Sequence, residues 1–227
     1  MKTGSVWVVV PAFDEASVIG TTVRSLLTRF DNIVVVDDKS RDATAEVALA
    51  AGAHVCRHPV NLGQGAALQT GFDYALQQGA QIIVTFDADG QHRVQDASAM
   101  VAALRRSAVD IVLASRFLGA TVGMPRSRRF MLGLGTWYTR LTTGLALTDT
   151  HNGLRAMTRE TVSRLRLRQN RMAHASEILA LVAEFGLRYV EHPVTVVYTS
   201  YSRAKGQRFT GAFRVLVDLF VRRMYRS

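Results

Sequence analysis

The residues best suited to metal chemistry stand in one short segment, Phe86-Asp87-Ala88-Asp89-Gly90-Gln91-His92. Two carboxylates follow an apolar run with one residue between them, and Gln91 adds a neutral oxygen. Oxygen ligands of this kind suit Mg²⁺ or Mn²⁺ bound together with substrate phosphates. We therefore predict that Asp87, Asp89 and Gln91 bind such a metal. The alternative is a solvated acidic turn, and His92 is expected to hold the turn rather than to bind the metal.

Strands and helices alternate through the first half of the sequence. Continuous apolar runs predict buried strands at 6–10, 33–36, 82–86 and 111–114, with a shorter strand around Val55. Helical spacing predicts helices at 18–30, 43–51, 65–76 and 94–106. This alternation predicts an α/β fold, with a mostly parallel, Rossmann-like sheet and helices on both faces.

Polar residues follow four of the predicted strands. Ligands of parallel sheets bind beyond the carboxyl ends of the strands, so these residues are expected to surround one ligand site. They are Asp14 and Glu15, Asp37 and Asp38, Asp87 and Asp89, and Ser115 and Arg116.

The second half is less regular. Its pattern predicts a helix with a basic start at 126–145, a polar turn at 149–155, a helix at 175–185 and a strand at 189–198 that Pro193 interrupts. No internal repeat or linker is visible, so residues 1–227 are expected to form a single domain. Its nucleotide-binding half covers about 1–116, its acceptor-binding half about 117–207, and an amphipathic helix about 208–226.

Several segments resemble motifs of the family-two glycosyltransferases with the GT-A fold. Pro11-Ala12-Phe13-Asp14-Glu15 is similar to their Pro-Ala-Tyr-Asn-Glu opening, and residues 37–44 to their Asp-Asp-x-Ser-x-Asp-x-Thr element. Residues 61–67 resemble their Asn-x-Gly-x-Gly-x-Ala segment. Residues 149–155 resemble an Asp-x-x-x-Gly-Phe-Arg element of the polyprenyl-phosphate branch, which includes the dolichyl-phosphate mannose synthases.

The resemblance implies a nucleoside-diphosphate sugar as donor. It places Pro11, Phe13 and Glu15 with Asp38 at the base and ribose, and Asp37 is a second candidate there. The rest of the implied donor site is Gln64, Asp87, Ala88, Arg203 and Lys205. Gln64 stands where many relatives carry Lys or Arg. Arg203 and Lys205 belong to a segment that resembles a loop closing over the donor, and the alternative is a polar connector.

The polyprenyl-phosphate branch uses a lipid phosphate as nucleophile. That oxygen is already ionised near neutral pH, so the reaction needs cationic groups to place it rather than a strong base. The candidates are Arg116, Arg128, Arg129 and Arg155. Asp89, Arg116 and Arg129 are the predicted catalytic residues. The alternative for residues 126–129 is a solvated basic helix start, and Gly133 replaces a Ser that relatives often carry there.

The amphipathic helix predicted at 209–224 places apolar residues on one stripe, with arginines around it. That pattern suits a helix in the surface of an anionic membrane, or one packed on the core or in a dimer. No apolar run reaches the length of a spanning helix, which predicts a cytoplasmic protein bound peripherally to the inner face of the cell membrane. A membrane-protein partner or a homodimer would be another route to the lipid.

The composition leaves other functions open. A net charge of +10 attracts polyanions, but no nucleic-acid motif accompanies it, so we expect no nucleic-acid partner. No Gly-x-Gly-x-x-Gly follows the first strand, which disfavours a dehydrogenase. The leading hypothesis is inverting, metal-dependent sugar transfer to a polyprenyl phosphate. A sugar hydroxyl as acceptor, with Asp149 or His151 as base, and a non-catalytic nucleotide- or polyanion-binding module are the alternatives.

Overall fold

A computed structural model describes residues 5–168 and 174–198 of the chain. The predicted helix at 208–226 and the predicted donor contacts Arg203 and Lys205 lie outside these residues. The strands are β1 (Val6–Ala12), β2 (Asn32–Asp37), β3 (His54–Arg57), β4 (Ile82–Thr85), β5 (Ile111–Val122), β6 (Arg155–Thr158) and β7 (Tyr189–Val197). The helices are α1 (Ala16–Leu27), α2 (Thr44–Ala50), α3 (Gln64–Gln77), α4 (Val94–Arg106), α5 (Arg126–Thr143), α6 (Arg159–Arg164) and α7 (His174–Glu184).

The strands form one seven-stranded sheet in the order β3-β2-β1-β4-β6-β5-β7. Every pairing is parallel except the two made by β6, which runs antiparallel to both β4 and β5. The predicted α/β class and mostly parallel sheet are therefore confirmed. The reversed direction of β6 brings its amino end, at Arg155, to the edge where β4 and β5 have their carboxyl ends.

Each central strand is buried on both faces, which explains why its sequence is a continuous apolar run. In β1, Val8 and Val10 pack with α1, α2 and α4 on one face of the sheet. Trp7 and Val9 pack with α3, α6 and α7 on the other. Gly71 of α3 lies so close to Val9 that any side chain there would overlap it. The two cores hold the strand ends in fixed register.

The structure differs from the predicted elements mainly in the second half. The polar turn at 149–155 ends earlier than predicted, because Arg155 begins β6, and neither β6 nor the short α6 was predicted. Strand β5 continues to Val122, and Pro193 does not interrupt β7. Within the described ranges, no helix has both the length and the hydropathy needed to cross a bilayer.

Candidate functional site

The carboxylates of Asp87 and Asp89 lie just beyond the carboxyl end of β4, as predicted. Gln64 Nε2, at the start of α3, donates to Asp87 Oδ1 at 3.3 Å. His92 Nε2 lies 3.3 Å from Asp87 Oδ2, a contact that links two residues of the turn. Although burial acts in the opposite direction, this contact and the charge of Arg155 keep the pKa of Asp87 below its ordinary value.

The Asp89 carboxylate is held within its own turn. Its partners are the backbone nitrogen of Gln91 at 3.1 Å and Gln91 Nε2 at 2.5 Å. Burial and the neighbouring negative charge of Asp87 raise the pKa of Asp89 to about 6. A cation bound between the two carboxylates would offset their repulsion and favour the charged form of Asp89. The donor set fits Mg²⁺ or Mn²⁺.

The loop before β6 packs directly against the Asp87 carboxylate. Thr85 Oγ1, in β4, donates to the carbonyl oxygen of Gly153 at 2.6 Å. A Cβ atom on Gly153 would overlap the Asp87 carboxyl group, so only glycine fits there. Arg155 follows, 2% exposed, with its charge near Asp87 and Asp149. Burial lowers the pKa of Arg155 to about 10, and the two carboxylates limit the fall.

Arg116 lies in a buried hydrogen-bonded cluster rather than on the surface. Its Nε donates to Asp149 Oδ2 at 2.6 Å, its Nη1 to Tyr198 Oη at 2.7 Å and its Nη2 to the carbonyl oxygen of His151 at 2.8 Å. Glu191 orients the same loop by accepting from the backbone nitrogens of Thr148 and Asp149. The cluster joins β5, the loop before β6 and the end of β7.

The four arginines predicted to hold the acceptor phosphate fall into two groups. Arg116 and Arg155 are 5% and 2% exposed and are surrounded by protein. Arg128 and Arg129, in the first turn of α5, reach the surface. The Arg128 guanidinium lies 5.0 Å from the centre of the Tyr198 ring, and that of Arg129 lies 5.9 Å from the Phe117 ring. Of the four, Arg128 and Arg129 are therefore the two that solvent reaches.

The predicted donor residues after β2 are buried and already bonded. Asp38, 3% exposed, accepts from the backbone nitrogens of Leu62 and Gly63 at 2.8 and 2.6 Å and contacts His58 Nδ1 at 2.8 Å. Asp37, which is fully buried, accepts from the backbone nitrogen of Ser40 at 2.9 Å. Both carboxylates therefore shape the loops around the predicted donor site.

The opening motif places one aromatic ring at the surface. Phe13 is 37% exposed, and the Arg41 guanidinium lies 5.8 Å from its centre. Asp14 holds Arg41 through an ion pair of 2.7 Å. Pro11, Glu15 and Ala88 are buried, and the backbone nitrogen of Glu15 donates to Thr44 Oγ1 at 2.8 Å. Of this predicted group, Phe13 is the side chain most exposed to solvent.

Several residues that build the site were not predicted. Tyr198, Gly153, His58 and Glu191 each contact a predicted residue, but their partners lie far away along the chain. Gly153 belongs to the 149–155 element and Tyr198 ends the predicted strand at 189–198, but a turn glycine and a strand-end tyrosine are common and the sequence assigned neither a contact in the site.

The chain is similar in sequence to known glycosyltransferases. The glycosyl transferase family 2 model matches residues 7–166. An uncharacterized protein of Methanocaldococcus jannaschii is 37% identical, over 97% of this chain and 93% of that protein. UDP-N-acetylglucosamine–dolichyl-phosphate N-acetylglucosaminyltransferase of Methanococcus voltae is 30% identical, over 96% of each chain. Undecaprenyl-phosphate mannosyltransferase of Micrococcus luteus is 29% identical, over 87% of this chain and 85% of that one.

Solved structures agree on the fold. Glucosyl-3-phosphoglycerate synthase of Mycobacterium tuberculosis, in complex with Mn²⁺, UDP and glucosyl-3-phosphoglycerate, superposes with a TM-score of 0.70. The match covers 86% of this chain and 71% of that one at 22% identity. The resemblance inferred from the motifs is thereby confirmed: the chain belongs to glycosyl transferase family 2, has the GT-A fold and is a glycosyltransferase.

Proposed function

We propose that this glycosyltransferase moves a sugar from a nucleoside-diphosphate sugar to a polyprenyl phosphate, with inversion at the sugar carbon and a divalent metal. The observation that carries the proposal is the pair of carboxylates, Asp87 and Asp89, beyond the carboxyl end of β4. The curated relatives that act on dolichyl phosphate and undecaprenyl phosphate support the acceptor. Each of these two relatives spans most of this chain.

Asp87, Asp89 and Gln91 would hold Mg²⁺ or Mn²⁺. Structural neighbours with the same fold contain Mn²⁺ or Mg²⁺ with UDP, which supports the choice. When bound, the metal would neutralise the negative charge that builds up on the departing diphosphate. The described residues contain no group of three or more His, Cys, Asp or Glu side chains placed to hold a metal. The remaining ligands would then be diphosphate oxygens, which couples metal binding to donor binding.

The side chains around the metal site would position the donor. Gln64 and His92 contact the Asp87 carboxylate from two sides. Asp38 accepts a hydrogen bond from the loop that leads into α3. The exposed face of Phe13 would stack on the base, with Pro11 and Glu15 shaping the pocket beneath it. Arg203 and Lys205 would close over the diphosphate from outside the described residues.

Arg128 and Arg129 would bind the acceptor phosphate. An arginine can donate two parallel hydrogen bonds to a phosphate, which fixes its orientation as well as its position. A phosphate oxygen that is already ionised needs no base, so one in-line displacement suffices, and such a displacement inverts the sugar carbon. Arg116 and Arg155 would support this step indirectly, because they fix the loop between the metal site and α5.

A sugar hydroxyl as acceptor has less support, because it requires a base. Asp149, one of the two candidates, already forms a buried ion pair with Arg116. The Asp149 side chain is 1% exposed and directed towards Arg116, so it is not positioned to meet an acceptor hydroxyl. For a lipid acceptor, the protein would act on the cytoplasmic face of the membrane, with residues of about 1–116 binding the nucleotide and those of about 117–207 the acceptor.

The test is a direct assay. The purified protein is incubated with Mn²⁺ or Mg²⁺, a panel of nucleotide sugars and a polyprenyl phosphate, and the products are analysed by mass spectrometry for a glycolipid. Asp89→Asn should abolish transfer and metal-dependent nucleotide binding, because a metal ligand is lost. Asp73→Asn, on the exposed side of α3, is the matched control and should retain both. Near-normal turnover by Asp89→Asn would remove the metal role.

A further inference from the structure

Helix α5 shows the reverse of the usual side-chain arrangement of a surface helix, because its large apolar side chains face solvent. Its buried residues are small, namely Gly135, Thr136 and Thr139. Its outward face carries large apolar side chains: Phe130 is 72% exposed, Leu134 43%, Trp137 60% and Leu141 68%. These four residues, which we name the α5 stripe, recur after four, three and four positions, so they lie on one side of the helix.

The residues on the inner face of α5 are small because the helix packs closely on the loop before β6. A Cβ atom on Gly135 would lie 2.6 Å from Cε1 of His151, so a larger residue would push the helix away. Thr136 Oγ1 lies 3.4 Å from Thr150 Oγ1 in the same contact. The orientation of α5 is thus fixed from inside. Contiguous apolar side chains that are exposed on a fixed element typically mark an interaction surface.

The charges around the stripe indicate the kind of partner. Residues 126–143 include Arg126, Arg128, Arg129 and Arg140 and contain no Asp or Glu. By helical spacing, Arg126 precedes the stripe in line, and Arg129 and Arg140 flank one side of it. An apolar stripe with arginines beside it, including an exposed tryptophan, is the pattern of a helix that lies in the surface of an anionic membrane.

We propose that the α5 stripe docks on an anionic lipid bilayer, with the helix lying in the membrane surface. The inference rests on the proposed function, because a lipid acceptor presents its phosphate at the depth of the headgroups. A surface helix buries its apolar face to roughly 5–10 Å. Arg129 directly precedes Phe130 and flanks the stripe, so docking through the stripe brings this arginine to the headgroups. The sequence had predicted membrane contact only for the helix at 208–226.

A second copy of the chain fits this surface less well. In a symmetric dimer built on the stripe, each α5 would bring its arginines close to those of its partner. The helix offers no acidic residue to balance them. Anionic lipid headgroups, in contrast, supply the missing negative charge and cover the apolar side chains in the same step.

The first test measures vesicle binding of the full chain by co-sedimentation. Vesicles of phosphatidylcholine mixed with phosphatidylglycerol should bind the protein more tightly than vesicles of phosphatidylcholine alone. Replacing Phe130 and Trp137 together by Ser should weaken binding to the mixed vesicles about ten-fold or more, because two large apolar side chains are lost. The matched control replaces Leu49 and Val60, equally exposed but elsewhere, by Ser and should change binding less than about two-fold.

The second test uses the tryptophans. The chain has two, and Trp7 is 4% exposed, so changes in quenching report on Trp137. Iodide should quench Trp137 in solution, and mixed vesicles should protect it. Protection before vesicles are added would overturn the proposal, since protein would then cover the stripe. A dimer that the double Ser variant dissociates, with vesicle binding unchanged, would also overturn it.

A comparison of acceptors separates this inference from the proposed function. The double Ser variant should keep transfer to a short, water-soluble polyprenyl phosphate and lose transfer to a long one held in vesicles. If the protein binds vesicles through the stripe but transfers sugar to neither acceptor, the proposed function is wrong and the proposal that α5 docks on the membrane remains supported. If the variant transfers sugar to both acceptors and binds vesicles as well as wild type does, only the proposal that α5 docks on the membrane is wrong.

Discussion

Arg116 and Asp149 form a buried ion pair, with Nε and Oδ2 2.6 Å apart and side chains that are 5% and 1% exposed. All three guanidinium nitrogens of Arg116 have partners within the protein, the other two being Tyr198 Oη and the carbonyl oxygen of His151. The pair therefore fixes the loop that carries Gly153 against the predicted metal site. It also fixes the surface on which α5 and its arginines rest.

Replacing Arg116 by Ala should strongly destabilise the protein. The substitution leaves Asp149 buried without its closest cation, and breaking a buried pair in this way costs about 3–5 kcal/mol. Urea unfolding followed by circular dichroism measures the change in the free energy of unfolding. Arg24→Ala, at the exposed end of α1, is the control and should change it by less than about 0.5 kcal/mol. Equal stabilities for the two variants would contradict the structural role.

Replacing Arg129 by Ala should impair use of the lipid acceptor far more than donor binding. One charged hydrogen-bonding group is worth about 1.5–3 kcal/mol, so kcat/KM for the polyprenyl phosphate should fall roughly ten- to hundred-fold. Donor affinity, measured by titration calorimetry with metal present, should stay constant. Arg106→Ala, at the end of α4, should leave both values unchanged. A defect confined to donor affinity would reject the assignment of Arg129 to the acceptor.

Replacing Asp38 by Asn should lower both stability and donor affinity. Asp38 accepts hydrogen bonds from the backbone nitrogens of Leu62 and Gly63, and an amide group can accept only on its oxygen. The unpaired backbone donor should reduce the free energy of unfolding by about 1–3 kcal/mol. Asp31→Asn, on an exposed turn, is the control for thermal unfolding. Lost donor binding with unchanged stability would instead place Asp38 in direct contact with the nucleotide.

Replacing Gly153 by Ala should weaken metal-dependent nucleotide binding. The new methyl group would overlap the Asp87 carboxylate, so one of the two must move. The control is Gly133→Ala on the outer side of α5, where a Cβ atom meets nothing within 4 Å. That control should raise stability by about 0.5–1 kcal/mol, because alanine favours helix more than glycine does. Unaltered nucleotide affinity in Gly153→Ala would show that the carboxylate position is not critical.

Asp110 should give a pH-dependent contribution to stability. The hydrogen bond from Arg188, with the charge of the same residue, holds the pKa of Asp110 below its ordinary value of 3.8. A carboxyl group with a lowered pKa stabilises the fold above the unfolded-state pKa, and the stabilisation is lost as the pH falls through the lower, folded-state pKa. Asp110→Asn should therefore be slightly less stable than wild type at pH 7, and the difference should vanish in acid. A difference that persists at the lowest pH would exclude this ion pair as its source.

The sequence was sufficient to predict the parallel part of the sheet. Strands buried on both faces need continuous apolar runs, and such runs are visible without knowledge of the partners. The position of Asp87 and Asp89 followed from the same rule, since residues after parallel strands meet at one edge. These elements could be predicted from one sequence because their signals are local patterns.

The remaining features depend on contacts between distant residues. Strand β6 has four residues and begins with a charged one, so neither its length nor its periodicity indicates a strand. Arg155, predicted in a polar turn, is tolerated in the core because Asp87 and Asp149 lie near it. Likewise, Asp38 looks like a ligand-binding carboxylate in the sequence, and only the folded chain shows its three internal contacts.

The reversed direction of β6 constrains how the chain can change in evolution. An extra residue in 149–154 would have to bulge towards the metal site or slip β6 by one position, and such a slip would turn Arg155 to the opposite face. Turns at the far rim, around Gly52, Gly79 and Gly186, join helices to strands away from the site. Insertions and deletions among natural homologues should therefore accumulate at that rim and spare the segment before β6.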